Sequence, residues 1–397
     1  MPEPIIRDMA WCWWTRPRAT RIGDTAYFGA LDSEGRMLAA TLDLKTGATQ
    51  KFHLAQFERD DHNNPALLAV EGKPLVAFYS RHDPDDALRI RISSRPLDLS
   101  EWGEERILHF GGMTCYAQVH DLGDELHLFT RVDETRWGYA RSHDWAKTWT
   151  VVGDFLRLDT DQQVYMATAL LPDGKTMRVA VSGHPKEYEK KPLHDVWAAA
   201  VDLQSGVVTH PSTGKIIANL RDGTGLPLNY TDLELVEKTP ADRTVNVMDV
   251  SDGPVFEIAF TSKIKDDHSN RDAQYNIVAL RDGAWQRETV APTGNRFGYI
   301  HAGFYVGGMA FPARSIGGQV YITREEGGLW SLERRDRDGT GQWQPRVLIA
   351  PQPTRLTRPW ALTNPAPGLA VTCLVLERYP DDSYFDTLSH LVAAGVD

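Results

Sequence analysis

Seven short runs along the chain read alike, and their recurrence narrows the fold more than any other feature. They are residues 25–31 (TAYFGAL), 74–80 (PLVAFYS), 125–131 (ELHLFTR), 176–183 (TMRVAVSG), 254–261 (PVFEIAFT), 318–324 (GQVYITR) and 369–378 (LAVTCLVLER). Successive starts lie 49, 51, 51, 78, 64 and 51 residues apart. Most runs follow a turn pair such as Asp173 and Gly174 or Asp252 and Gly253, the chemistry of a tight reversal. A second alternating run follows about ten residues on, at 88–93, 136–142, 196–202, 274–280 and 329–335. A further short strand then starts near Trp102, Trp149, Trp285 or Trp343. An apolar-rich run precedes most hairpins, at 64–70, 116–121, 165–171, 245–250, 301–306 and 360–364. A unit of about 50 residues with four strands, repeated seven times, predicts an all-β fold: a seven-bladed β-propeller with four antiparallel strands per blade. First strands are expected near Ala19, Pro65, Val119, Thr168, Val247, Ala302 and Trp360. No linker interrupts the series, so residues 1–397 read as one domain with loops inserted at about 186–243.

Composition narrows the function classes. The net charge of -11 argues against nucleic acid, which needs a basic footprint. No apolar run reaches the roughly 18 residues of a membrane span, so no membrane partner is expected. Residues 1–14 carry one arginine, two acids and no apolar leader segment. As given, the chain is expected in the cytoplasm, and in the periplasm or outside the cell if a leader has been trimmed. Cys12, Cys115 and Cys373 lack metal-ligand spacing and read as buried thiols. The oligomeric state is not legible.

In an antiparallel meander, the start of the first strand and the end of the second lie at the same end of a blade. Those positions hold Arg16 and Arg18, then His62, Asn63, Arg81 and His82, then Tyr116 and Arg131, then Tyr165 and His184. Lys263, His301, Arg324, Arg358 and Arg378 follow. Cationic, imidazole and phenolic groups gathered at one end of an acidic protein suggest an anionic small substrate. A single histidine at a strand end is more often structural, but two in one blade, His62 and His82, are harder to dismiss. Asn63, Arg81, Tyr165, His184, His301 and Arg358 are the candidate substrate-binding residues. Trp11, Trp13 and Trp14 are expected in packing rather than as a sugar platform. Asp60 and Asp61, and Asp266, Asp267 and His268, are acidic enough to touch a cation but are expected to be solvated.

Residues 61–67 (DHNNPAL) followed by 78–82 (FYSRH) resemble the BNR-repeat propeller proteins, a group with ulvan lyases and with rhamnosyl-glucuronate lyases and rhamnosidases. The resemblance continues through 111–116 (GGMTCY), 129–131 (FTR) and 182–185 (SGHP). Residues 142–149 (SHDWAKTW) resemble the Asp-box of BNR repeats, with Ala146 where glycine is usual; that box is a folding turn and says nothing of the reaction. In such lyases two histidines, a tyrosine and an arginine form the active centre. The resemblance places them at His62, His82, Tyr116 and Arg131.

Those residue types suit a β-elimination. Removing the proton beside a uronate carboxylate requires that carboxylate to be neutralised, which the forked, always-protonated Arg131 can do. Histidine accepts a proton near neutral pH and a phenol can protonate the departing oxygen. No pair of acids is conspicuous at the strand ends, against the need of an ordinary glycoside hydrolase. The expectation is a lyase cutting an acidic polysaccharide or oligosaccharide at glucuronate, at a rhamnosyl-1,4-glucuronate linkage. The alternatives are an α-L-rhamnosidase or other glycoside hydrolase on the same fold, a sialidase (for which the tyrosine's partner glutamate is not assignable), and a non-catalytic glycan-binding propeller. No cofactor and no catalytic metal are called for, although a structural divalent cation is compatible with the acidic loops.

Overall fold

The computed structural model describes residues 1–82, 85–159, 162–184, 194–264, 272–294, 307–362, 368–376 and 388–396. Seven antiparallel sheets account for nearly all of it, in the fold class of a seven-bladed β-propeller. Among the described residues the helical turns are the short ones at Asp61–Asn63 and Tyr230–Asp232, and no helix is long and apolar enough to cross a membrane. The chain forms two compact units. One comprises Met1–Asp133, Trp137–Gly153 and Asn364–Asp397, and the other Glu134–Arg136 and Asp154–Thr363.

In the first unit, blade 1 is Ala19–Ile22, Thr25–Leu31, Arg36–Asp43 and Thr49–Gln56. Blade 2 is Ala66–Leu68, Pro74–Tyr79, Leu88–Pro96 and Arg106–Leu108. Blade 3 begins with Thr114–Asp121, Leu126–Val132 and Arg136–Ser142. Alternation puts one side of each strand against the next sheet. Val76, Phe78 and Ile90 of blade 2 thus share a buried cluster with Val119 and Leu128 of blade 3. Each such side chain contributes about 1.5–3 kcal/mol when fully buried. The first strand of the chain, Pro4–Ile6, pairs with the last, Ser389–Val396, so the termini complete one sheet.

In the second unit, blade 4 departs from the simple pattern. Its third strand, Val196–Asp202, pairs along one half with Val207–Thr209 and along the other with Glu234–Glu237. The fourth-strand position is therefore filled in two pieces, and the chain between them makes an excursion that includes Ile216–Asn219. This excursion lies where the hairpin spacing lengthens to 78 residues. Blade 5 has four strands from Arg243–Val250 to Ala284–Pro292, and blade 6 four from Gly308–Ala310 to Trp343–Gln352.

The second strands at Thr25–Leu31 and Thr176–Gly183 coincide with the expected hairpin runs, and the others differ from them by one to three residues at an end. Ala302, expected in a first strand, lies outside the described residues. All three cysteines are buried thiols.

Candidate active site

The site begins with a tight turn. Asp60 caps Asp61–Asn63, its Oδ1 accepting from the backbone N–H of His62 at 2.9 Å. Aspartate suits this place because its short carboxylate reaches the turn's exposed donors. Asn64 then ties the turn to the N-terminal segment, its Oδ1 accepting from the N–H of Cys12 at 2.8 Å. The turn hands the chain into the first strand of blade 2. His82 lies just past the second strand, so both histidines stand at one end of the blade.

The Asp60 carboxylate binds both rings. Nδ1 of His62 is 2.6 Å from Oδ1, and Nδ1 of His82 is 2.7 Å from Oδ2. Asp61 Oδ1 approaches His62 Nδ1 at 3.2 Å. The two imidazoles stack with centroids 3.7 Å apart and planes 11° from parallel.

Blade 3 supplies the other two residues. Cys115 pairs with Arg131 across its first two strands, and the register then slips before Gln118. Tyr116 sits in that slip with φ of 57°, a left-handed conformation that costs a non-glycine residue roughly 1–3 kcal/mol. The bulge takes Tyr116 out of strand alternation, and its ring stacks with His62 at 5.0 Å and packs on Trp14 at 5.5 Å. Beside the bulge the N-terminal segment bonds to the strand, with Arg16 N–H donating to the Ala117 carbonyl at 2.9 Å. The Arg131 guanidinium lies 4.4 Å from the Tyr116 centroid, and its Nε donates to Cys115 Sγ at 3.2 Å.

The environment pushes the two histidines apart. Burial opposes charge on His62, but the charge and hydrogen bond of Asp60, aided by Asp61, outweigh it and raise its pKa to about 9. On His82, burial and the neighbouring His62 charge win over Asp60, with Arg131 adding to them, and its pKa falls below the usual value. For Asp60, burial favours the neutral acid, yet the two histidines hold the carboxyl well below its ordinary range. Two stacked imidazoles this close cannot both carry charge comfortably, and one carboxylate between them matches one imidazolium. With Nδ1 of His82 donating to Asp60, the unprotonated nitrogen of its neutral ring is Nε2. The Asp60, His62 and His82 ligand-type atoms lie within 4.8 Å of one another, close enough to suit an ion. Both Nδ1 atoms bond to the Asp60 carboxylate.

The structure thus brings His62, His82, Tyr116 and Arg131 together within one unit. Asn63 is buried in the same turn and its side chain donates to the Glu58 carbonyl at 3.2 Å. Arg81 has its Nε bonded to Glu58 at 3.0 Å and its guanidinium over Phe57. In the other unit Tyr165 and His184 pack ring to ring at 5.1 Å, both buried. Arg358 is fully buried at φ of 57°, its N–H donating to the Gly307 carbonyl at 2.8 Å. His301, Arg378 and the 266–268 run lie outside the described residues. Asp60 and Asp61, expected to be solvated, are buried, because their oxygens serve the turn and the imidazoles. The signal that could have found Asp60 is the cap pattern, an aspartate two residues before His62 at the entry to a turn. Trp11, Trp13 and Trp14 are buried in packing.

Similar structures are known. A PL25 ulvan lyase superposes with a TM-score of 0.73 at 14% identity, over 100% of this chain and 96% of that one. The same lyase has been seen bound to a -[GlcA(1-4)Rha3S]- saccharide, with the same score and coverage. The polysaccharide lyase Uly1 matches with a TM-score of 0.62 at 12% identity, over 98% of this chain and 92% of that one. At these identities the likeness speaks for the fold. A search of curated proteins found no match. A family model for BNR repeat-containing proteins matches residues 12–292, most of the length, and the chain belongs to the BNR repeat-containing family.

Proposed function

We propose that this protein is a polysaccharide lyase that cleaves an acidic glycan at a glucuronate residue, at a rhamnosyl-1,4-glucuronate linkage, by β-elimination. The observation that carries the proposal is the meeting of His62, His82, Tyr116 and Arg131 around one buried carboxylate. Its support from outside is the fold shared with lyases, one of them bound to a glucuronate–rhamnose saccharide.

Arg131 and the imidazolium of His62 neutralise the uronate carboxylate as charge develops beside it. His82 and Tyr116 share the two proton transfers. The proton leaves C5, its electron pair forms the C4–C5 double bond, and the C4–O bond breaks with protonation of the departing oxygen. Each positioned acid or base contributes roughly 10²–10⁴-fold. The chemistry is proton transfer throughout, so activity should need no added metal and survive chelation.

A glycoside hydrolase would need two carboxyl groups flanking the bond. Asp60 has both oxygens engaged by imidazoles and Asp61 is buried beneath His62, so neither is placed for that task. Incubation with glucuronate-containing glycans tests the proposal. A lyase creates an ultraviolet-absorbing unsaturated uronate at the new non-reducing end. Cleavage without that chromophore, or binding without cleavage, would refute it.

A further inference from the structure

We propose that Asp60 is the positioning residue of this site: its single carboxylate accepts from Nδ1 of both His62 and His82, and so leaves Nε2 of His82 as the lone pair that receives the substrate proton. The proposal rests on the lyase reading for the origin of that proton, while the positioning of the two rings rests on the hydrogen bonds alone.

The argument starts from what a carboxylate can do that an amide cannot. Asp60 offers two acceptor oxygens, and each takes one imidazole N–H, at 2.6 and 2.7 Å. Oδ1 also accepts from the backbone N–H of His62, so the carboxylate is fixed to the turn before either ring binds it. Charged and titratable groups from the turn and from blade 3 face the pair among the described residues. Asp60 and Asp61 come from the turn, Tyr116 and Arg131 from the first two strands of blade 3, and the two rings face each other. Two imidazoles stacked 3.7 Å apart on one shared carboxylate disfavour double charge, which leaves one of them neutral. The raised pKa of His62 and the lowered one of His82 agree with that division.

In turnover, His82 Nε2 takes the C5 proton, the C–H electrons become the C4–C5 double bond, and the departing O4 takes the hydroxyl proton of Tyr116. Asp60 then faces a second imidazolium and offsets its charge beside His62. Exchange with solvent returns the proton from His82 to the Tyr116 oxygen, so no co-reactant is consumed. Asp60 touches no substrate atom in this scheme and acts through the rings.

The test is Asp60→Asn on the full chain, with wild-type protein beside it. An amide presents one acceptor and one donor, so at least one ring must turn over its tautomer. Nitrogen-15 spectra of histidine-labelled protein, assigned with His62→Gln and His82→Gln, read the tautomers without reference to activity. Wild type should show one doubly protonated ring that titrates near pH 9 and one neutral ring protonated at Nδ1. Asp60→Asn should lose that division, lower kcat by about 10²–10⁴-fold with KM changed far less, and move the alkaline limb of the pH profile to lower pH. Wild-type rings in the same state would overturn the proposal even if the variant fails to fold. So would an Asp60→Asn enzyme with kcat within about threefold of wild type and an unchanged profile. Zinc retained through dialysis by wild type and lost by the variant would overturn it too. The divided ring states in a protein that releases no unsaturated product would support the positioning while removing the lyase reading.

Discussion

Arg131 is 1% exposed, spans from Cys115 Sγ to the face of Tyr116, and reaches these contacts through a planar fork. An ammonium at the same place can neither stack flat on the ring nor grip two carboxylate oxygens. Arg131→Lys should therefore lower turnover of a uronate glycan by about tenfold or more, measured as the rate of unsaturated product formation. Tyr116→Phe removes one hydroxyl and leaves the contacts with His62 and Trp14, so product formation should vanish with a nearly unchanged melting temperature. His82→Ala should also abolish product. It should in addition cost about 1–3 kcal/mol, because a buried Asp60 oxygen loses its partner. Substantial activity in His82→Ala would place the proton chemistry on another residue.

Among the elements, blades 1 and 2 show how closely neighbouring sheets approach. A Cβ at Gly29, in the second strand of blade 1, would lie 2.2 Å from the Pro65 carbonyl oxygen, which is backbone and cannot step aside cheaply. The same carbonyl accepts from Asn64, the residue that anchors the catalytic turn to the N-terminal segment. Gly29→Ala should destabilise the protein by about 1–3 kcal/mol in denaturant unfolding, and should weaken activity by displacing that turn. The Asp-box of blade 3 is bonded as a folding turn. Asp144 accepts from Ser142 Oγ and from both the N–H and the hydroxyl of Thr148. Ala146 carries a φ of 61° where glycine would be unstrained. These bonds lie beyond the third strand of the blade, and Tyr116 and Arg131 belong to the first two, so the box supports the sheet and contributes no group to the chemistry.

At the scale of the whole molecule, the buried site links folding to pH. His62 binds its proton more tightly folded than unfolded, with a pKa of about 9 against 6.5. Its contribution is full below pH 6.5 and drains away as pH rises through about 9. The amount is on the order of 3 kcal/mol. His82 behaves oppositely. Its folded pKa lies below the ordinary value, so folding favours the neutral ring and stability declines as pH falls through the range beneath 6.5. Asp60, held below its ordinary 3.8, contributes above that value and loses its contribution in strong acid. Melting temperature against pH should peak near neutrality and fall on the alkaline side between about 6.5 and 9. His62→Gln should flatten that alkaline decline. An alkaline decline of equal depth in His62→Gln would show that other groups govern it.

The blade series was legible in the sequence because its causes are local. Strand alternation and turn chemistry at Thr25–Leu31 or Thr176–Gly183 are written within ten residues, and seven such passages can be counted without a structure. The neighbourhood of His62, His82, Tyr116 and Arg131 followed from hairpin geometry together with a family likeness, since strand ends in successive blades must lie near one another. What the sequence could not show is which of those groups carries charge. That depends on burial and on one carboxylate reaching two rings 20 residues apart in the chain, and solvated acids and buried acids are written with the same letters. Arg81 makes the same point: its position matched the ring of cations, and only the structure shows its bond to Glu58 and its place over Phe57. Local pattern decides where strands begin and end. Protonation, strain at Tyr116 and the choice among neighbouring cations are settled by long-range contacts in a medium from which water is excluded, and these exist only once the blades have packed.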